Sequence, residues 1–241
     1  MIIGAPIAVA QRELASAFRQ PAGWIIVGLF ALLTSATFVI TSLAPGAPAT
    51  LRDLFSVSAW LLLPVAPAVT MRSLAEEMRS GTLELTTTSP LGRWGLVLGK
   101  YVGACAFLVV MLLPTLVLAG TLAAISDPAP DLGPIVAGYL CVLLLGAFYL
   151  AVGMLASSVT TNATLAFLIT LFVLLALLFA PSAARFSPDW LRPALTDYSL
   201  AVRVGDFSRG IIDTSHIVFF LSASAWLVVV ACVVMELRRW R

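Results

Sequence analysis

Charged side chains are scarce here: they make up 11% of the 241 residues, and histidine occurs once. A water-soluble fold of that length cannot coat its surface with so few ionised groups, so the main solvent of this chain is lipid. Neither sign dominates. With 14 Lys and Arg against 12 Asp and Glu, the formal net charge is +2, far short of the basic stripe that nucleic-acid binding requires. Cysteine is confined to Cys105, Cys141 and Cys232, each inside an apolar run, where a thiol behaves as a small hydrophobe rather than a disulfide partner or metal ligand. The single histidine, His216, stands at the edge of the last apolar run and reads as an interfacial residue, not as the base of a membrane hydrolase. A phosphate-binding loop is also missing. Its nearest approximation, Gly95-Leu-Val-Leu-Gly99-Lys100-Tyr101, has the wrong glycine spacing and no Ser or Thr after the lysine.

What the chain has in abundance is apolar length. Hydrophobic residues make up 61% of it and its mean hydropathy is +1.04. Backbone polar groups cannot go unpaired in hydrocarbon, so each uncharged run of about 20 apolar residues predicts a spanning helix. Such runs lie at 22–43, 54–71, 96–124, 134–157, 163–180 and 217–235. They predict an all-α, six-span polytopic membrane protein with 1–241 as one transmembrane domain. The fourth and fifth runs are close enough to form a helical hairpin. Ala44-Pro-Gly-Ala-Pro-Ala49 has small-residue character, but the run before it is longer than a signal-peptide core, so no cleavage is expected there.

Ahead of the first span, Ile7, Ala10, Leu14 and Phe18 recur at helical spacing, with Arg12, Ser16 and Arg19 on the opposite side. This predicts an amphipathic helix over 5–20 lying in the headgroup layer, with Pro21 separating it from the span and Trp24 anchoring the turn. Six spans put both termini on one side. Arg12, Arg19, Arg72, Arg79, Arg93, Lys100, Arg238, Arg239 and Arg241 share that side, against Arg52, Arg185, Arg192, Arg203 and Arg209. The bias predicts cytoplasmic termini.

Two connections are more than turns. The cytoplasmic loop over 73–95 opens with Ser73-Leu-Ala-Glu76, a capping-box spacing for a short charged helix continued by Glu77, Met78 and Arg79 and stopped by Gly81. Ser89-Pro90 then offers a cap and a first-turn proline leading into the third span. The external segment over 181–215 mixes Phe186, Trp190, Leu191, Leu195, Tyr198 and Val202 with Arg and Asp, a pattern for amphipathic helices on the outer surface of the bilayer.

The spans read as carrying hydroxyls and no ionisable side chain at mid-membrane, Lys100 being counted with the cytoplasmic charges. Gradient-driven carriers place a titratable group there, so the work is expected from ATP hydrolysed by another chain. Pro64, Pro67 and Pro114 are candidate hinges, each freeing a backbone carbonyl. Trp60 and Trp226 fall too deep for an interfacial belt and are expected to face protein or a cavity.

The stretch Glu76-Glu-Met-Arg-Ser-Gly-Thr-Leu-Glu-Leu-Thr-Thr-Thr-Ser-Pro90, followed by Val97-Leu-Gly-Lys-Tyr101, resembles the first cytoplasmic loop of ABC-2-type permeases. Phe207-Ser-Arg-Gly-Ile-Ile-Asp213 is similar to the gliding-motility and copper-processing (nitrous-oxide-reductase maturation) branch of that family. The resemblance implies an inner-membrane permease subunit, an exporter, paired with a second copy and docked on a cytoplasmic ABC ATPase that binds ATP and magnesium. This chain then binds no cofactor itself. A periplasmic-domain accessory protein is a further implied partner, besides membrane lipid. By position, Glu76, Glu77, Arg79, Gly81, Thr82 and Glu84 take the ATPase-coupling role. Two alternatives stay open: a subunit that transmits force without passing a solute, and a gradient-driven carrier.

Overall fold

A computed structural model describes residues 4–44, 48–80, 92–127, 130–183, 200–208 and 210–237. Helix α1 (Gly4–Arg19) leads into the first span, α2 (Pro21–Ser42). The second span, α3 (Arg52–Thr70), is followed by the short helix α4 (Ala75–Ser80). Spans α5 (Gly92–Ile125), α6 (Leu132–Val159) and α7 (Ala163–Ala183) come next, then a nine-residue helix α8 (Leu200–Ser208) and the last span, α9 (Thr214–Leu237). The six long helices are of a length and apolarity that cross a membrane, and no strand occurs among the described residues.

The bundle is organised around α6. Its most apolar stretch is 67% buried, against 22% for α2 and 17% for α7, and it is apolar on every side, as a helix with neighbours all round must be. Small residues let those neighbours come close. A side chain at Gly153 would collide with the Thr70 hydroxyl of α3, so that position admits the second span only as glycine. Phe55 of α3 presses on Gly138 in the same way. Asn162 caps the tight α6–α7 turn, its Oδ1 accepting from the Thr164 amide at 2.9 Å.

Helix α1 packs against the bundle. Val9 and Ala10 are buried, and they sit where Gly99 and Gly103 leave α5 bare: a Cβ at Gly99 would meet Val9, and one at Gly103 would meet Glu13 and Ala10. The contacting face is therefore offset from the expected one, and Ile7 stays 51% exposed. Trp24 folds back on this helix, its indole donating to the Phe18 carbonyl at 2.8 Å. That bond fixes the elbow between α1 and α2.

The two spans that carry the candidate hinge prolines run on without a break, α3 through Pro64 and Pro67 and α5 through Pro114. The expectation for the deep tryptophans is corrected. Within this subunit Trp60 and Trp226 are 55% and 65% exposed and so are covered by neither a neighbouring helix nor an internal cavity. Gly153→Leu is expected to destabilise the bundle by about 1–3 kcal/mol through overpacking against α3, readable as a lowered unfolding midpoint of the purified chain.

Candidate functional site

The end of the bundle that carries α4 concentrates the ionised side chains. Helix α3 finishes with the Met71 amide on the Pro67 carbonyl and the Ser73 amide on the Thr70 carbonyl, at 2.8 and 3.0 Å, and the chain turns into the six residues of α4. A helix that short does not hold itself together in water. Here its leading amides are taken by a distant span: Leu74 and Ala75 donate to the Ser157 hydroxyl of α6 at 3.1 and 3.0 Å. Leu74, Ala75 and Ser157 are all fully buried. The expected capping box is corrected accordingly, since Ser157 and not Ser73 supplies the cap.

One ion cluster holds α4 from the other side. Lys100 Nζ lies 2.9 Å from Glu13 Oε1 of α1, 2.9 Å from Glu77 Oε1 of α4, and 2.7 Å from the Ser73 carbonyl oxygen. Its side chain is 4% exposed; it donates hydrogen bonds to Glu13 and the Ser73 carbonyl, and Glu77 completes the cluster as an ion pair. The reading of the third span as free of buried charge is thereby corrected. Lys100 sits within α5, roughly 12 Å from the start of the helix at 1.5 Å per residue. That is near its α4 end and short of its middle. A buried ammonium holds its charge only with such partners, and the α1–α5 packing at Gly99 and Gly103 is what brings Glu13 into reach.

The predicted coupling residues divide. Glu77 turns inward to Lys100, while Glu76 and Arg79 are exposed. Gly81, Thr82 and Glu84 lie outside the described residues, as does 184–199 of the external segment. The sequence reading missed Glu13 and Ser157 and treated Lys100 as an orientation charge. The Gly95, Gly99, Gly103 spacing in α5 was the available signal for a helix docked beside that lysine. The same end is closed by Trp94, whose indole donates to Glu236 Oε2 at 3.1 Å and so joins the start of α5 to the end of α9.

At the opposite end, α8 is fastened to the start of α9. His216 Nε2 is 3.2 Å from Asp206 Oδ2, and its Nδ1 is 2.7 Å from an Arg203 guanidinium nitrogen. Arg203 also lies 4.0 Å from the centre of the Phe219 ring. An imidazole donating through Nε2 and accepting at Nδ1 satisfies both neighbours, which makes His216 a structural bridge. Asp213 caps α9 by accepting from the Ser215 amide at 2.8 Å, and that bond holds its carboxyl below the usual carboxylate range. The cap therefore persists through neutral pH and is lost only as acid reaches that lowered value.

A family model described as ABC-2 family transporter protein matches residues 7–235. Over 101 residues the chain is 35% identical to the probable ABC transporter permease protein NosY of Pseudomonas aeruginosa, a stretch covering 39% of this chain and 37% of that protein. The chain thus spans little more than a third of the length of the curated relative it matches.

Removing the ammonium alone leaves two acids facing each other. Lys100→Met is expected to cost about 3–5 kcal/mol, with most of the loss recovered when Glu13→Gln and Glu77→Gln are added, measured by denaturant unfolding of the purified chain. Ser157→Ala leaves two buried amides without an acceptor, at about 1–3 kcal/mol each. Hydrogen exchange should rise at Leu74 and Ala75 in that variant while the α6 core stays protected.

Proposed function

Because the chain belongs to the ABC-2 family of transporter proteins, as a membrane permease subunit of an ABC transporter, we propose that α4 is the element its partner ATPase grips. One observation carries this reading. A six-residue helix with Glu76 and Arg79 outward is bound through its inner side to three other helices, by Ser157 to α6 and by the Lys100 cluster to α5 and α1. A handle fixed at several points moves those helices as a body when a docked partner moves it. Nucleotide and magnesium then belong to the ATPase, and this chain binds neither.

The fuller picture places both termini in the cytoplasm of the cell carrying the inner membrane, in accord with the Lys and Arg bias. A second copy of the permease completes the membrane unit. The low burial of α2 and α7 supports these spans as the surface left for it. Export, through an opening at that subunit interface, is the transport direction the family resemblance favours. Among the described residues the charged side chains of the six spans stand towards their ends, which suits work delivered mechanically better than work drawn from a gradient.

The non-transporting reading has an observation in its favour as well. The Trp94–Glu236 bond joins α5 to α9, and the Arg203, Asp206 and His216 contacts join α9 to α8. A displacement of α4 therefore has a continuous path to the far surface, where a periplasmic-domain partner could take it up.

The test uses the exposed pair and spares Glu77, whose loss would unbalance Lys100. Glu76→Lys with Arg79→Glu is expected to weaken stimulation of the ATPase by the permease about tenfold or more, equivalent to 1.4 kcal/mol, with insertion and unfolding unchanged. Full stimulation by that variant, reconstituted with its ATPase, would reject α4 as the grip. Solute flux in the same liposomes separates export from force transmission.

A further inference from the structure

Beside the lysine cluster lies an open cavity of about 490 Å³, lined by α1, the start of α2, the α3–α4 turn, α4 and α5. That volume falls within the range of small-molecule sites. Its lining is two-sided. Glu13, Glu76, Glu77, Arg72 and Lys100 occupy one part, and Ile26, Val69, Ala104 and Phe107 the other. Carboxylates outnumber cations by one, and Lys100 is already engaged by Glu13, Glu77 and the Ser73 carbonyl. What the polar part offers a newcomer is thus carboxylate oxygen from Glu76 and Glu13 and the exposed guanidinium of Arg72.

We propose that this cavity binds the headgroup of a membrane phospholipid that carries a primary ammonium, of the phosphatidylethanolamine type. Such a headgroup matches the lining group by group. Its ammonium donates charge-assisted bonds to Glu76 and Glu13, its phosphate meets Arg72, and the glycerol and first acyl carbons lie on the apolar part. A choline headgroup has no N–H to donate, and an anionic headgroup enters a cavity already one charge negative. The location fits a lipid rather than a solute. Helix α1 carries exposed Arg12 and Arg19 at this level, and Trp24 at the start of α2 is exposed beside them, the signature of the headgroup layer. The cavity also reaches Ala22, Gly23 and Ile26 at the start of α2, a span that is only 22% buried. The assignment does not depend on the ATPase reading, because binding is measured without the ATPase.

The experiment places the full chain in nanodiscs doped with a trace of photoreactive phosphatidylethanolamine and maps the adducts by mass spectrometry. The host lipid is phosphatidylethanolamine, phosphatidylcholine or phosphatidylglycerol. Adducts should concentrate on peptides around Ile26, Val69 and Phe107. They should fall at least about fivefold, roughly 1 kcal/mol, in the ethanolamine host relative to either other host. Ala104→Trp, which fills the apolar part, should remove them to a similar extent, and the host comparison on the unsubstituted chain decides the matter if that variant does not insert. Adducts spread evenly over α2 and α7, equal competition by all three hosts, or undiminished labelling in an inserted Ala104→Trp would overturn the proposal. Displacement by soluble phosphoethanolamine as effective as that by the lipid would also overturn it, by showing that a free solute and not a bilayer component is recognised.

Discussion

An ammonium withdrawn from water needs polar and anionic partners around it, and Lys100 finds them on α1, on the α3–α4 turn and on α4. No one of these elements is fixed by local sequence alone. Helix α4 is too short to persist unaided, and α1 shares no loop with α5. A buried pair of this kind is weak evidence for stability, since apolar replacements often do as well. Its value lies in geometry: the cluster allows one arrangement of three segments and penalises the others.

That arrangement gives the molecule two differently built ends. The α4 end is held by ionised groups and by a serine hydroxyl that joins α6 to the start of α4. The far end relies on a histidine between an arginine and an aspartate, with a phenylalanine ring beneath the guanidinium. Between them α6 supplies a packed, apolar centre in which close approach of α3 is set by Gly153 and Gly138. Interiors at such density transmit displacement instead of absorbing it, which is the property a subunit driven from outside the membrane requires.

The bilayer made much of this legible in advance. Lipid forces each span to declare itself as an uninterrupted apolar run, so the spans and α1 could be read from residue order, and the loop motif led to the family. Phase was harder. Glu76 and Glu77 are adjacent acids, and which one faces inward depends on how α4 starts. That start is set by Ser157, and a serine within an apolar run looks like any other helix-to-helix contact. Lys100 was misjudged because its position beside an apolar run suits an orientation signal as well as a buried hub. Only the placement of Glu13, carried by a helix distant in sequence, distinguishes the two. The exposure of Trp60 and Trp226 reflects which sides of α3 and α9 are already covered, and hydropathy does not encode that.

The Ser157 hydroxyl also imposes an order on biogenesis. It meets the Leu74 and Ala75 amides from 83 and 82 residues further along the chain, so a ribosome has released α4 long before its cap exists. Until the fourth span is in the bilayer those two amides lack the hydroxyl that pairs them in the finished fold, and α4 is not yet held in place. A half-inserted chain consequently lacks the ordered α4 end of the finished bundle, and that end is completed only as the fourth span arrives.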